Sequence, residues 1–156
     1  MTARALRLIP VLLLIFITAT AASSSAQVGK SLGVVDANTA PEADLAAMPS
    51  MTPAIAKALV AARPFDSIVA LNTFLLGQKL TQEQANAFYG KAFVHINLNT
   101  ATDDEILLVP GAGRRMVREF KEYRPWKTKA QFDKEIGKYV GEKETARLWR
   151  FMIIKP

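Results

Sequence analysis

An internal repeat is the feature that most constrains what this chain can fold into. When the sequence is shifted by 61 residues against itself, residues 36–65 align without gaps with residues 97–126. The identical residues are of the kinds that occupy caps, turns and helix ends: Asn-Thr-Ala at 38–40 and 99–101, proline at 49 and 110, and Arg-Pro at 63–64 and 124–125. We therefore predict two copies of one unit of about 60 residues, at residues 27–93 and 94–156.

Each copy carries the signals of four short helices. Thr39-x-x-Glu42 and Thr100-x-x-Asp103 have the spacing of capping boxes at the first helix. The second helices are expected at residues 53–63 and 114–124, each stopped by a proline.

The third and fourth helices complete each copy. The third is expected to begin at Ser67 or Thr128, and the fourth at Thr81-x-x-Gln84 or at Glu142. No stretch has the alternation and β-branched enrichment of a strand. The sequence therefore predicts an all-α protein.

The first 26 residues have the three-part pattern of a secretory signal peptide. Arg4 and Arg7 precede an apolar run at residues 8–22, and small residues lead to cleavage after Ala26 or, less favoured, after Ala21. An uncleaved membrane anchor is the alternative, but the run is shorter than the roughly 20 residues that a spanning helix needs. This predicts a periplasmic or secreted protein.

Charge is distributed unevenly between the two copies. Residues 27–93 hold 5 Lys/Arg and 5 Asp/Glu, a net charge of 0, whereas residues 94–156 hold 13 and 9, a net charge of +4. A basic half beside a neutral half indicates that one side meets a polyanion.

The residues that support catalysis are scarce. There is no cysteine and only one histidine, His95, which is interpreted as a linker or strand-like edge residue. No nucleophile has a base at a recognisable spacing, so we expect no enzyme, no transition-metal site and no small-molecule substrate. Trp126 and Trp149 match Phe65 and Phe88 in the repeat and are predicted to be core residues.

One turn in the second copy has the chemistry of an anion site. Gly111 and Gly113 leave bare backbone, and the amide hydrogens of the turn, with the N-terminus of the following helix, suit a phosphate oxygen. Three arginines add charge-assisted contacts. The candidate residues are Pro110, Gly111, Ala112, Gly113, Arg114, Arg115 and Arg118. The alternative is a purely structural turn followed by a solvated basic face.

The other turns depart from this pattern. The first copy has Ser50 and Thr52 at the glycine positions and Pro53 at the start of the helix, which favours a structural role. The turn between the third and fourth helices of the second copy keeps one glycine, so we expect a weaker second contact there. Its residues are Lys138, Gly141 and Lys143.

The segment "HINLNTATDDEILLVPGAGRRMVREFKEYR", residues 95–124, resembles the repeat unit of the competence-type DNA receptor domain, the ComEA family. The resemblance covers almost the whole chain after residue 26, less well in the first copy. It implies tandem helix-hairpin-helix units that hold double-stranded DNA by its phosphates, without reading sequence, in DNA uptake. It also implies a monovalent cation at the Gly111–Gly113 hairpin, no other cofactor, and periplasmic or inner-membrane uptake proteins as further partners.

A second reading is a protein-interaction module. The extrinsic photosystem II subunit U family resembles the same fold, is exported and does not act on DNA. The neutral first copy with its altered turns fits a scaffold that has lost DNA binding. Salt-dependent DNA binding distinguishes the two readings.

Overall fold

The computed structural model describes residues 33–155, so the predicted signal peptide lies outside the described residues. Two successive sets of four helices make up the described chain, and each set lies between two short strands. The first set consists of β1 (Val35–Asp36), α1 (Glu42–Ala46), α2 (Pro53–Ala61), α3 (Ile68–Gly77), α4 (Gln82–Tyr89) and β2 (Ala92–Phe93). The second consists of β3 (Ile96–Asn97), α5 (Asp103–Leu107), α6 (Arg114–Glu122), α7 (Lys129–Val140), α8 (Glu142–Trp149) and β4 (Met152–Ile153).

The strands correct the prediction of an all-α protein: the fold is mainly α. Strand β1 pairs in parallel with β2, and β3 pairs in parallel with β4, so the start of each helix set is joined to its end. Each strand has two residues. A strand of this length is too short to produce an alternating pattern, which is why the sequence gives no sign of it.

The asparagines of the repeat fasten each set internally. Asn38 accepts a hydrogen bond from the Phe65 amide (2.8 Å) and donates one to the Phe65 carbonyl (3.0 Å). Asn99 makes the same two bonds with Trp126, at 2.6 and 3.0 Å. One side chain thus satisfies both backbone groups of the residue that follows Arg-Pro, which accounts for the identity of asparagine in the two copies.

The arginines of the repeat donate hydrogen bonds to backbone carbonyls near the start of each helix set. Arg63 donates to the Ala40 carbonyl (2.7 Å), and Arg124 donates to the carbonyls of Leu98 (2.7 Å) and Ala101 (2.6 Å). The Arg-Pro peptide bond is cis in both copies. Each arginine therefore ties the chain after the second helix to the turn that precedes the first helix.

The capping predictions for the first helices were wrong. Thr39 and Thr100 lie in turns, where their amides donate to the carbonyls of Asp36 (3.1 Å) and Asn97 (3.0 Å). Helix α1 follows Pro41 without a side-chain cap, and α5 is capped two residues later than predicted, by Thr102. The side chains at 36 and 97 accept hydrogen bonds from the amides two residues on, which favours a turn before a helix can begin.

The later capping predictions are confirmed. Ser67 accepts from the Ala70 amide and Thr128 from the Gln131 amide. Thr81 and Gln84 form a complete capping box at α4.

The two helix sets share one apolar core. Phe93, at the end of the first set, packs edge-on against Phe151, at the end of the second, with ring centroids 5.1 Å apart. Trp126 is buried as predicted, and its indole donates to the Phe120 carbonyl (2.7 Å). Trp149 is half-buried against the core. Within residues 33–155, no helix combines the length and the apolar character needed to span a membrane.

His95 lies half-buried in the link between β2 and β3. Desolvation lowers the pKa of this histidine, and the nearby Asp36 carboxylate opposes the effect only in part. The unfolded chain therefore binds a proton at His95 more readily than the folded chain. We expect the free energy of unfolding to be highest above about pH 6.5 and to fall as the pH drops through that value. Chemical denaturation at about pH 8 and about pH 5.5 measures it, and His95→Gln should remove part of the difference. An identical difference in His95→Gln contradicts the assignment.

Candidate nucleic-acid interface

The turn between α5 and α6 contains the Pro-Gly-Ala-Gly sequence. The Ala112 amide donates to the Val109 carbonyl (2.9 Å), which closes the turn. Gly111 has φ +80°, a left-handed conformation that favours glycine. Gly113 is extended, with φ −121°, and has open space where a Cβ would lie. Backbone conformation therefore favours glycine at position 111 and not at position 113.

Helix α6 begins with unpaired amide groups. Its N-cap is Gly113, so no side chain caps it. The amides of Gly113, Arg114 and Arg115 have no acceptor among residues 33–155. Free amides at the positive end of a nine-residue helix are suited to an anion.

The equivalent turn of the first set differs in these respects. Ser50 has φ +63°, so the backbone path is similar to that at Gly111. Helix α2 is capped by Thr52, whose hydroxyl accepts from the Ile55 amide (3.2 Å), and it begins with Pro53, which has no amide hydrogen. Fewer donors are therefore free at α2, and no arginine flanks them.

The three arginines of α6 are all exposed, but they differ in their contacts. Arg114 and Arg118 are exposed and have no ion-pair partner within the described chain. Together with Arg115 they line a shallow groove that also contains the α5 carboxylates Asp103 and Asp104. Those carboxylates lower the positive potential of the groove, and Lys121 pairs with Asp103 (2.6 Å).

Arg115 is turned toward α7. Its guanidinium lies over the Tyr139 ring (4.8 Å to the centroid), and its Nε lies 4.0 Å from the Glu119 carboxylate. Glu119 is buried, and its Oε2 has no hydrogen-bond partner in residues 33–155. The Tyr139 hydroxyl contacts that of Tyr123 (2.8 Å), and this bond, with help from Glu119, raises the pKa of Tyr139. Arg115 therefore contributes to the packing between α6 and α7.

The turn between α7 and α8 is a single residue. Gly141 ends α7 and caps α8, with φ +78°. The Lys138 ammonium pairs with Glu135, whose hydrogen bond raises the pKa of the lysine, whereas Lys143 is exposed and has no ion-pair partner in the described chain. The first turn of α8 also carries two glutamates, which disfavour a phosphate there. This turn is thus a poorer anion site than the start of α6.

Sequence reasoning missed two residues at the main turn. Arg147 of α8 donates from Nη2 to the Pro110 carbonyl (2.6 Å). Glu144 holds the same guanidinium through Nε (2.8 Å) and Nη2 (2.6 Å). A Cβ at position 111 would lie 2.7 Å from Nη2 of Arg147. The bare backbone at Gly111 therefore makes room for this arginine.

The hydrogen bond between Arg147 and the Pro110 carbonyl limits which carbonyls a cation at the hairpin could use. The Pro110 carbonyl already accepts a hydrogen bond from a positively charged group. A monovalent cation at Gly111–Gly113 would have to use other carbonyls. No cluster of three or more His, Cys, Asp or Glu side chains suited to a metal ion occurs within residues 33–155.

Comparisons with protein-family models, with curated proteins and with solved structures found no match to this chain. The inference of function therefore depends on the geometry of the turn, on the charge distribution and on the resemblance stated above.

Proposed function

We propose that this protein binds double-stranded DNA at its phosphates, without sequence preference, through the start of α6. The observation that carries the proposal is the difference between two equivalent turns. The turn at α6 leaves its amides free and adds Arg114 and Arg118, whereas the turn at α2 is capped by Thr52 and begins with Pro53. The free amides and the two arginines at the start of α6 together suit a phosphate, and the start of α2 offers neither.

The charge distribution and the order of the elements also support a DNA site in the second helix set. The net charge of +4 lies in residues 94–156, which contain α6. The repeated order of strand, four helices and strand fits two tandem helix-hairpin-helix units. In this proposal the second unit binds DNA, and the first unit supports it through the shared core.

Contacts to phosphates fix position and carry no sequence information. We therefore expect similar affinities for duplexes of different sequence, with a logarithmic dependence on salt whose slope is about −0.9 for each phosphate neutralised. A gel-shift series of the purified protein against salt, with two unrelated duplexes, tests this. Absence of binding at low salt rejects the proposal. On the basis of the resemblance to the competence-type receptor domain, we propose that such binding serves DNA uptake and involves no catalytic step.

We also propose that the protein is exported, on the pattern of residues 1–26. Cell fractionation followed by determination of the N-terminal residue measures this. A periplasmic or secreted protein that begins at Gln27 is expected. A membrane-bound protein that retains Met1 supports the anchor instead.

A scaffold function is the second candidate. The first helix set exposes Leu76 and Val35, at 40% and 42% of their surface, and its 4 Lys/Arg and 5 Asp/Glu in residues 35–93 give a net charge of −1. These side chains could serve a protein contact. If this reading holds, Leu76→Glu abolishes capture of a partner from a nuclease-treated extract, while Arg114→Glu leaves capture unchanged.

A further inference from the structure

Arg147 is placed by the fold at the proposed phosphate site, although it lies 37 residues from Pro110 in the chain. Its Nη2 bonds to the Pro110 carbonyl and lies against Gly111. Gly111 and Gly113 are two residues apart, so their Cα atoms are separated by no more than about 8 Å. The guanidinium therefore lies against the turn that leads into α6.

One part of this guanidinium is free to bind a ligand. Nε and Nη2 are used by Glu144 and Pro110. Nη1 has no acceptor among residues 33–155, and it does not belong to the buried unpaired atoms, so it reaches solvent. An arginine held by two of its nitrogens presents the third in a fixed direction, which favours recognition of a phosphate oxygen.

Glu144 has two opposing effects on such a contact. Its two hydrogen bonds orient the guanidinium, and they lower the pKa of Glu144, so the carboxylate stays ionised. Its negative charge also offsets the positive charge of Arg147. The pair is partly exposed, with 32% and 38% of the two side chains accessible, so a polyanion can approach it.

The equivalent position in the first helix set lacks this arginine–glutamate pair. The repeat aligns Arg147 with Asn86 and Glu144 with Glu83. Asn86 accepts a hydrogen bond from Gln82 of its own helix (3.0 Å). The arginine therefore occurs only in the set with the uncapped α6, and not at its counterpart in the other set.

We infer that Arg147 is an additional phosphate-binding residue of the α6 site. Glu144 orients its guanidinium, and the negative charge of Glu144 weakens its attraction to a phosphate. This inference rests on the proposed function, since it assigns a further contact to the same DNA. It predicts opposite effects for the two members of one ion pair. Loss of Arg147 weakens binding, and loss of the Glu144 charge strengthens it.

The test uses gel shifts of the purified protein with a short mixed-sequence duplex over a range of salt. Arg147→Gln is expected to make the salt slope shallower by about 1. Glu144→Gln is expected to tighten binding several-fold at low salt, and this gain should disappear when Arg147→Gln is also present. Arg147→Lys keeps the charge and should recover part of the affinity but not all of it, because the planar fork is lost.

The matched control is Glu83→Gln, which makes the same charge change at the repeat counterpart of Glu144. It should change affinity much less than Glu144→Gln. Thermal unfolding of every variant shows whether the fold is kept. If Arg147→Gln lowers only the melting temperature and leaves the salt slope unchanged, Arg147 is a brace for the turn and the inference fails. If the unchanged protein does not bind DNA, the proposed function itself fails, which is a different result.

Discussion

Replacement of both Arg114 and Arg118 by glutamate is expected to lower the affinity for duplex DNA by at least about 100-fold at low salt. Both side chains are exposed beside the free amides of α6. The double substitution removes two cations and places two carboxylates where the phosphates would lie. Like charges in close contact cost several kcal/mol. A gel-shift series against salt measures the change.

Arg115 is deliberately left out of this variant. It packs on Tyr139 and lies beside the buried Glu119, so a glutamate there would place two carboxylates together and disturb the fold. Lys57→Glu is the matched control, because Lys57 is exposed on α2 and is the repeat counterpart of Arg118. Affinity should change little in the control. Lys57→Glu changes the net charge by −2 and the double variant by −4, so binding that depended on net charge alone would lose about half as much in log affinity in the control. A loss of that size in Lys57→Glu would contradict the assigned site.

The sequence predicts most of the helical framework because its signals are local. Caps such as Ser67, Thr81 and Thr128 act within one helical turn, so their spacing is visible in the chain. Thr39 and Thr100 have the same spacing but lie in turns. The side chains at 36 and 97 accept hydrogen bonds in these turns, and Asn38 and Asn99 accept hydrogen bonds from the distant amides of Phe65 and Trp126. Local spacing cannot distinguish these two cases, because long-range contacts decide them.

The candidate site also combines features that can be predicted from local sequence with one that depends on long-range packing. The turn conformation and the uncapped start of α6 follow from Gly111 and Gly113, which are neighbours in sequence. The contact of Arg147 with Pro110 depends on how α8 packs and could not be derived from either helix alone. One sequence signal was present: arginine at 147 replaces asparagine at 86, the repeat counterpart in the first set.

Asn99 is the second position at which a substitution is expected to have a large effect, here on the free energy of unfolding. Asn99→Ala removes two hydrogen bonds to Trp126 and one to the Lys155 carbonyl (2.9 Å). It leaves the partly buried amide and carbonyl of Trp126 without their partner. An unsatisfied buried polar group costs about 1–3 kcal/mol, and the third bond adds less, so we expect a loss of about 2–4 kcal/mol in the free energy of unfolding. Denaturant unfolding measures it.

Asn38→Ala provides the comparison within the same molecule, since Asn38 makes the same two bonds to Phe65 but has no counterpart of the Lys155 contact. Its destabilisation should be smaller than that of Asn99→Ala. Because the two helix sets share one apolar core, each variant should still unfold in a single transition at a lower denaturant concentration. A separate early transition in either variant would mean that one set unfolds alone. In that case the first set could not support the second through the core, and the proposed DNA binding by the second should survive conditions that unfold the first.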